Sequence, residues 1–389
     1  MKEGWTYKKL GEIGQIITGN TPSTRDIRNY SSEDRCFVKP SDLGKEGITI
    51  ISNSEFHISE YAFNNSRQLP IGSILTTCIG TIGKIGVLDV QATCNQQINA
   101  LIPKNGINSV FVAYNLLSQR HLLEKIANAP IVPIINKGLF SEIKIAIPSI
   151  SLQQQIVSEL NLLSDVIEKK KAQIEEFDKL AQSTFYEMFG DPVTNEKSWE
   201  IKQLGDVSDI TSSKRIFANE YREDGIPFYR GKEITEKSKG QEISLELFIS
   251  EERYEEIKES FGVPSIGDIL ITAVGTIGNI WVVNDTNPFY FKDGNIIWVK
   301  EFKNIDPTYF KSVLTILIAT YKSEMANGCA YNALTIVNLK KMSFALPPLA
   351  LQQEFAAKIE AIEQMKAKVR QSLKESEELF NSRMDYYFN

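Results

Sequence analysis

Gly80-Thr81-Ile82-Gly83-Lys84 is the segment nearest to a phosphate-cradling loop. It lacks the GxxxxGK[ST] spacing and the hydroxyl residue after the lysine, so it reads as a turn between strands. Asn287-Pro288-Phe289-Tyr290 comes nearest to the Asn-Pro-Pro-aromatic loop of amino-methylating enzymes. The second proline is missing and no glycine-rich cofactor loop precedes it, which leaves an ordinary Asn-Pro turn. Glu-x-Lys pairs of nuclease type occur at Glu142/Lys144, Glu168/Lys170, Glu200/Lys202 and Glu256/Lys258, as chance gives in a chain with 24% charged residues. His57 and His121 stand without the Ser/Asp or Cys context of a nucleophilic triad. Cys36, Cys78, Cys94 and Cys329 form no CxxC pair, so reduced thiols are expected rather than a zinc site or a disulfide framework. Neither catalysis, cofactor nor metal is expected here. The chemistry must be recognition by polar and basic side chains.

With 389 residues and 42% apolar content, the chain can bury two cores. The first residues, MKEGWTYKKLGEIG, lack the apolar run of a secretory signal, and no stretch of eighteen apolar residues follows, so a cytoplasmic protein with no membrane partner is expected. The net charge of -6 is unevenly spread. Residues 1–148 carry 15 basic and 12 acidic side chains, 194–348 carry 18 and 22, and the remaining stretches carry 10 and 15. Taken alone this balance argues against a free-standing nucleic-acid binder; such a chain could bind DNA only through local patches, with other subunits neutralising most of the phosphate charge.

The chain is one unit of roughly 195 residues written twice. Trp5 to Ile13 returns as Trp199 to Val207; GSILTTCIGTIGKIGVL from Gly72 returns as GDILITAVGTIGNIWVV from Gly267, with ten of seventeen positions identical. PSISLQQQIV from Pro148 returns as PPLALQQEFA from Pro347. Within each unit, β-branched runs such as Ile74-Leu75-Thr76-Thr77, Lys84 to Leu88 and Gln97 to Ile102 read as strands, and Phe111 to Ala127 reads as one helix. The expected fold class is α+β: two similar modules, 1–148 and 193–347, each with a mixed, mostly antiparallel sheet.

The period then changes. Leu152, Ile156, Leu160, Leu163, Ile167, Ile174, Phe177, Ala181 and Phe185 recur at three and four residues until Gly190-Asp191-Pro192, which predicts a helix of about 55 to 60 Å within 149–192. Leu351, Phe355, Ile359, Ile362, Val369, Leu373 and Phe380 repeat the pattern within 348–389. So long an apolar seam needs cover. The natural partner for each helix is the other, so an antiparallel coiled coil with a pseudo-twofold internal repeat is expected; the alternative is that each joins a local core.

The ordered set of TGNTPS (Thr18 to Ser23), VKPSDL and YRGKEI (Val38 to Leu43, Tyr229 to Ile234), GTIG (Gly80 to Gly83, Gly275 to Gly278) and the paired helix starts resembles the specificity subunits of type I restriction-modification systems, over essentially the whole chain. The second module departs from it, with Ser213-Lys214-Arg215-Ile216 where the first has its Thr-Pro-Ser triplet. The resemblance implies a non-catalytic subunit of a larger enzyme. Its modules are target-recognition domains that each read one half of a bipartite sequence in double-stranded DNA. Its helices set the spacing and dock two methyltransferase subunits, with restriction and translocase subunits joining them.

Under that reading the DNA contacts come from polar and basic loops: Asn20, Thr21, Ser23, Thr24, Arg25, Lys39, Ser41, Asp42, Lys84, Asn95, Gln96 and Gln97 in the first module. Their counterparts are Lys214, Arg215, Arg222, Tyr229, Arg230, Lys232, Asn279 and Asn295, with Asp293-Gly294-Asn295 in the slot of Asn95-Gln96-Gln97. Arg and Lys suit guanine edges, Asn and Gln suit adenine, and hydroxyls and backbone groups suit phosphates. Residues 20–70 and their counterparts keep only scattered matches such as Ile58-Ser59-Glu60 with Ile249-Ser250-Glu251, so the two half-sites should differ. The rival reading is an adaptor whose helices join two protein-binding modules without DNA. Purified alone, the chain should neither methylate nor cut DNA and should bind neither S-adenosylmethionine nor ATP; turnover from a preparation free of other subunits would overturn this.

Overall fold

Ile74–Thr77 and Ile98–Pro103 pair antiparallel in the middle of a sheet, and all four residues of the first strand are buried. The computed structural model describes residues 4–127, 133–326 and 334–389. The chain divides into two units, Met1–Gln173 with Val369–Asn389, and Ile174–Lys368. Cys329 lies outside the described residues; Cys36, Cys78 and Cys94 are free thiols, and burial pushes Cys78 and Cys94 up to about 12.

In chain order the first unit contains β1 (Thr6–Lys9), α1 (Leu10–Ile13), β2 (Gly14–Thr18), β3 (Arg35–Val38), β4 (Ile48–Ile51), β5 (His57–Ile58), α2 (Glu60–Asn64), β6 (Ile74–Thr77) and β7 (Ile85–Leu88). Then come β8 (Ala92–Cys94), β9 (Ile98–Pro103), α3 (Ser109–Ser118), α4 (Arg120–Ile126), α5 (Lys137–Glu142), β10 (Lys144–Ile147) and the start of α6 (Ile150–Phe189). A five-stranded sheet runs β2-β9-β6-β7-β4, antiparallel except for the β4–β7 pair. A second sheet runs β5-β3-β8, and β1 pairs with β10. The helix expected over Phe111 to Ala127 is two helices. Its apolar spacing continues through Gln119, but the backbone there leaves the helical region at φ -89 and ψ 10, and the Gln119 amide bonds the Asn115 side chain and the Lys144 carbonyl.

The second unit holds the rest of α6, then β11 (Glu200–Gln203), α7 (Leu204–Val207), β12 (Asp209–Thr211), β13 (Ile226–Tyr229), α8 (Gly231–Ser238), β14 (Phe248–Ile249), α9 (Glu251–Ser260) and β15 (Ile269–Thr272). After these come β16 (Ile280–Val282), β17 (Tyr290–Phe291), β18 (Ile296–Lys300), α10 (Pro307–Ala326), α11 (Ile336–Lys341), β19 (Ser343–Leu346) and α12 (Leu349–Phe388). Its sheets, β12-β18-β15-β16, β14-β13-β17 and β11-β19, repeat those of the first unit with one exchange. Where the first unit adds β4 to the sheet edge, the second has α8 against β15 and β16. The surviving Ile-Ser-Glu matches mark a shared helix start: Ser59 accepts from the Ala62 N–H and Ser250 from the Arg253 N–H.

Each long helix is 40 residues, and the two questions left by their seams have one answer. In the first unit Arg383 on α12 pairs with Glu159 on α6, and the Lys170 ammonium reaches Ser372 and Ser376 hydroxyls at 2.7 Å. In the second, the buried Lys366 pairs with Asp178, and Lys358 reaches Met188. Early positions of one helix meet late positions of the other, so the helices pair antiparallel. They also enter the local cores. Ile156, Leu160 and Met384 belong to the core of the first unit, and Phe185, Phe189 and Phe355 to that of the second.

The repeated LQQ at each helix start is a buried clamp. Gln153 accepts the Asn108 N–H at 2.9 Å and donates to the Pro148 carbonyl at 3.0 Å. Gln352 accepts the Asp306 N–H at 2.8 Å and donates to the Pro347 carbonyl at 2.7 Å. Each glutamine ties the long helix to the loop before the module's own helix. Gln352→Leu strands both groups without water, and urea unfolding of the full chain should show a loss of about 1 to 3 kcal/mol. An unchanged midpoint would contradict the clamp.

Candidate nucleic-acid interface

In the first unit the end of β2 is laid against the end of β8, and β8 against β3. Gly19 donates to the Ile98 carbonyl, Asn20 to Cys94 at 2.9 Å, and Asn95 to Val38 at 3.0 Å. Three loops that are distant in sequence therefore meet at one corner, bringing together Asn20, Thr21, Lys39, Asn95, Gln96 and Gln97. Thr21 donates to the Gln96 side chain at 2.5 Å, and the Asn95 and Gln97 side chains bond each other at 3.0 Å. Lys84, from the turn after β6, joins the corner by donating to the Pro40 carbonyl at 2.7 Å.

Lys39 lies on the Phe56 ring, 3.0 Å from its centroid, an arrangement that orients the ammonium without neutralising it. Asp42 is spent on the backbone: it accepts the N–H groups of Lys39 and Glu55, both at 2.7 Å, and is a structural cap. Ser41 is exposed beside it. Ser23, Thr24 and Arg25 are exposed on the loop that follows Thr21, where the Ser23 hydroxyl accepts the Arg25 N–H. Arg67, which the sequence reading passed over, binds this loop to the corner through the Thr18 carbonyl at 2.6 Å and the Asn20 side chain.

The second unit builds the same corner from other residues. Lys292 donates its N–H to the Tyr229 carbonyl as Asn95 does to Val38, and Asn295 accepts from Ala273 as Gln97 does from Cys78. One extra residue lies between these anchors. Lys292 therefore takes the slot of Asn95, and Asp293 is displaced from the slot assigned to it by sequence. Asn279 corresponds to Lys84, since each donates its backbone N–H to a threonine hydroxyl oxygen, Thr272 and Thr77 respectively. Its amide is held by the Thr235 hydroxyl and the Thr276 carbonyl, both at 3.0 Å.

Tyr229 leaves the contact set: it is 4% exposed, stacks on Phe289 at 4.6 Å and fills a small core with Ile234 and Trp281. Burial raises its hydroxyl to about 12. Arg222 folds back onto the Tyr221 and Asn219 carbonyls, and Arg215 pairs with Asp293 at 2.8 Å. The Lys214 ammonium stands over the Phe261 ring. Arg230, in the place of Lys39, is engaged by two carboxylates, the buried Glu233 at 2.8 Å and Glu246 at 2.6 Å; Lys232 also reaches Glu246 at 2.6 Å. Hydrogen bonds from Lys232 and Arg230 hold the Glu246 carboxyl down at about 2. Burial raises Glu233, but the Arg230 hydrogen bonds override it and leave it below the usual range. Both carboxylates stay charged at neutral pH, and these pairs weaken only as pH falls through the acid range.

Among the described residues no group of three or more His, Cys, Asp or Glu could hold a metal ion, and no helix is long and apolar enough to cross a membrane. Two copies of one α+β module, each gathering amides, hydroxyls and cations at the same corner, define the class as an internally duplicated α+β protein. The sequence pattern described as "Type I restriction modification DNA specificity domain" matches residues 2–176 and 196–376. The chain belongs to this family. It is 32% identical over 268 residues to the type I restriction enzyme MjaIX specificity subunit of Methanocaldococcus jannaschii, a match covering 64% of this chain and 61% of that one. It is 26% identical over 298 residues to a putative type I restriction enzyme specificity subunit, S.HindORF215P, of Haemophilus influenzae, covering 75% and 74%. The fold matches that of a type I restriction-modification S subunit from M. genitalium, with TM-score 0.58, 17% identity and coverage of 98% and 95%.

Gly19 has no room for a side chain, because a Cβ would collide with the Cys94 and Asn95 carbonyl oxygens. Gly19→Ala must push the β2 loop off the corner. Thermal unfolding should report a loss of about 1 to 3 kcal/mol, with DNA binding reduced beyond that of the wild type at the same temperature. Wild-type stability and binding would mean the loops need not touch.

Proposed function

We propose that this chain chooses the DNA sequence on which a type I restriction-modification enzyme acts. Each module lays its loop corner on one half of a split, asymmetric duplex target. The long helices set the spacing and carry two methyltransferase subunits, and restriction and translocase subunits complete the enzyme. Methylation and ATP-dependent cleavage belong to those other subunits, and the assembly works in the cytoplasm on double-stranded DNA. The observation that carries this reading is the corner itself, built twice on one backbone frame and furnished with different side chains.

The division of labour follows from chemistry. Exposed hydroxyls at Ser23, Thr24 and Ser41 suit phosphate oxygens. Lys39, Lys84, Asn20 and Gln96 in the first module, and Arg230, Lys232, Asn279, Lys292 and Asn295 in the second, suit base edges. The mildly acidic whole leaves most phosphate neutralisation to the methyltransferase subunits.

Exchange of residues 20–70 for the same stretch of a relative tests this reading. With the methyltransferase partner present, mapping of methylated adenines should show one half of the target changed and the other kept. Simultaneous change of both halves would contradict separate reading. Lys39→Ala should weaken binding by about 1 to 3 kcal/mol at its own target if the ammonium meets a base edge, with little effect on random DNA.

A further inference from the structure

Arg230, Glu246 and Lys232 form a cluster that the first module does not build. There Lys39 rests on Phe56, and Glu55, which precedes Phe56 as Glu246 precedes Leu247, gives only its N–H to Asp42. The equivalence is fixed by backbone bonds: Phe37 donates to Phe56 as Phe228 donates to Leu247. In the second module Glu246 Oε2 accepts from Arg230 Nη2 and Oε1 accepts from Lys232 Nζ, both at 2.6 Å. The carboxylate thus stands between the two cations.

Spare hydrogen-bonding capacity remains on all three groups. The Arg230 Nε and Nη2 protons go to Glu233 and Glu246, which leaves both Nη1 protons outside these bonds. The Lys232 ammonium has one of its three protons on Glu246, and each Glu246 oxygen keeps a further lone-pair site. Glu233 is 1% exposed and serves as the internal anchor, whereas the Glu246 side chain is 47% exposed. Across the cluster the order is donor, acceptor, donor.

The major-groove edge of an A·T pair presents acceptor, donor, acceptor: adenine N7, adenine N6 and thymine O4. A G·C pair presents two acceptors and then a donor, which would set guanine O6 against the Glu246 carboxylate. We infer that Glu246 is a specificity-determining residue of the second module, and that with Arg230 and Lys232 on its two sides it selects an A·T pair in the half-site which that module reads. This rests on the DNA-reading function proposed above. The carboxylate has a second effect. It cancels one of the two cations, so the cluster grips phosphates less and discriminates bases more.

The complete methyltransferase complex, assembled with full-length chain, supplies the test, through mapping of methylated adenines and through binding to random-sequence duplex at several salt concentrations. Glu246→Ala should turn one required A·T pair of the second half-site into any base, leave the first half-site unchanged, and steepen the salt dependence by about one unit of log slope. Glu246→Gln keeps an acceptor between the cations, so the A·T requirement should persist while the salt dependence still steepens. An unchanged target with Glu246→Ala, relaxation at a G·C pair, or loss of all methylation with both variants would overturn the inference. Absence of any split target with the wild-type complex would instead overturn the proposed function.

Discussion

Neither module closes its own core. The first is completed by Met384, with Phe380, Tyr387 and Phe388 packed beside it, all from the last turns of α12 at the far end of the sequence. The second is completed by Phe185 and Phe189 from the end of α6: Phe185 stacks on Tyr309, and both meet Phe355 edge-on. Each such aromatic removes apolar area worth roughly 1.5 to 3 kcal/mol from water. A module without the other repeat's helix would expose several of them together. The antiparallel pairing of α6 with α12 is thus a requirement of folding, and it explains why a duplicated chain keeps both helices while its loops diverge.

Much of this was legible in the sequence, because the signals were long or doubled. Two seams spaced at three and four residues, with Ile156, Leu160, Phe185 and Phe355 among them, gave both helices, and the repeat of GTIG and LQQ gave the second module from the first. Periodicity alone could not separate mutual pairing from local packing, since the same faces do both. The break at Gln119 was hidden because apolar spacing runs through it, and only the side-chain bonds of Gln119 to Asn115 and Lys144 reveal it. The corner was harder to read. Its residues converge through backbone bonds such as Asn20 to Cys94, and a single extra residue between Lys292 and Asn295 makes Lys292 the true equivalent of Asn95. Tyr229 looked like a contact by position next to Arg230, yet strand alternation turns it into the core.

One frame carries two electrostatic solutions. The position after β3 is a lysine on an aromatic ring in the first module and, after β13, an arginine between two carboxylates in the second. The edge beside it also differs, β4 in one and α8 in the other. The frame residues, including Gly19 and the two clamp glutamines, are fixed by collisions and buried hydrogen bonds. The corner is tied by backbone bonds that both modules keep, while its side chains bond to one another across loops, as Thr21 does to Gln96, and differ between the modules. The proposed function, new targets on one unchanged frame, calls for this separation.

The most direct measurement is the map of methylated adenines in a host that gains this chain together with its methyltransferase subunit. The account predicts methylation confined to one split sequence with two different halves at a fixed separation. Methylation of a continuous or palindromic sequence, or a map unchanged by the presence of this chain, would contradict it.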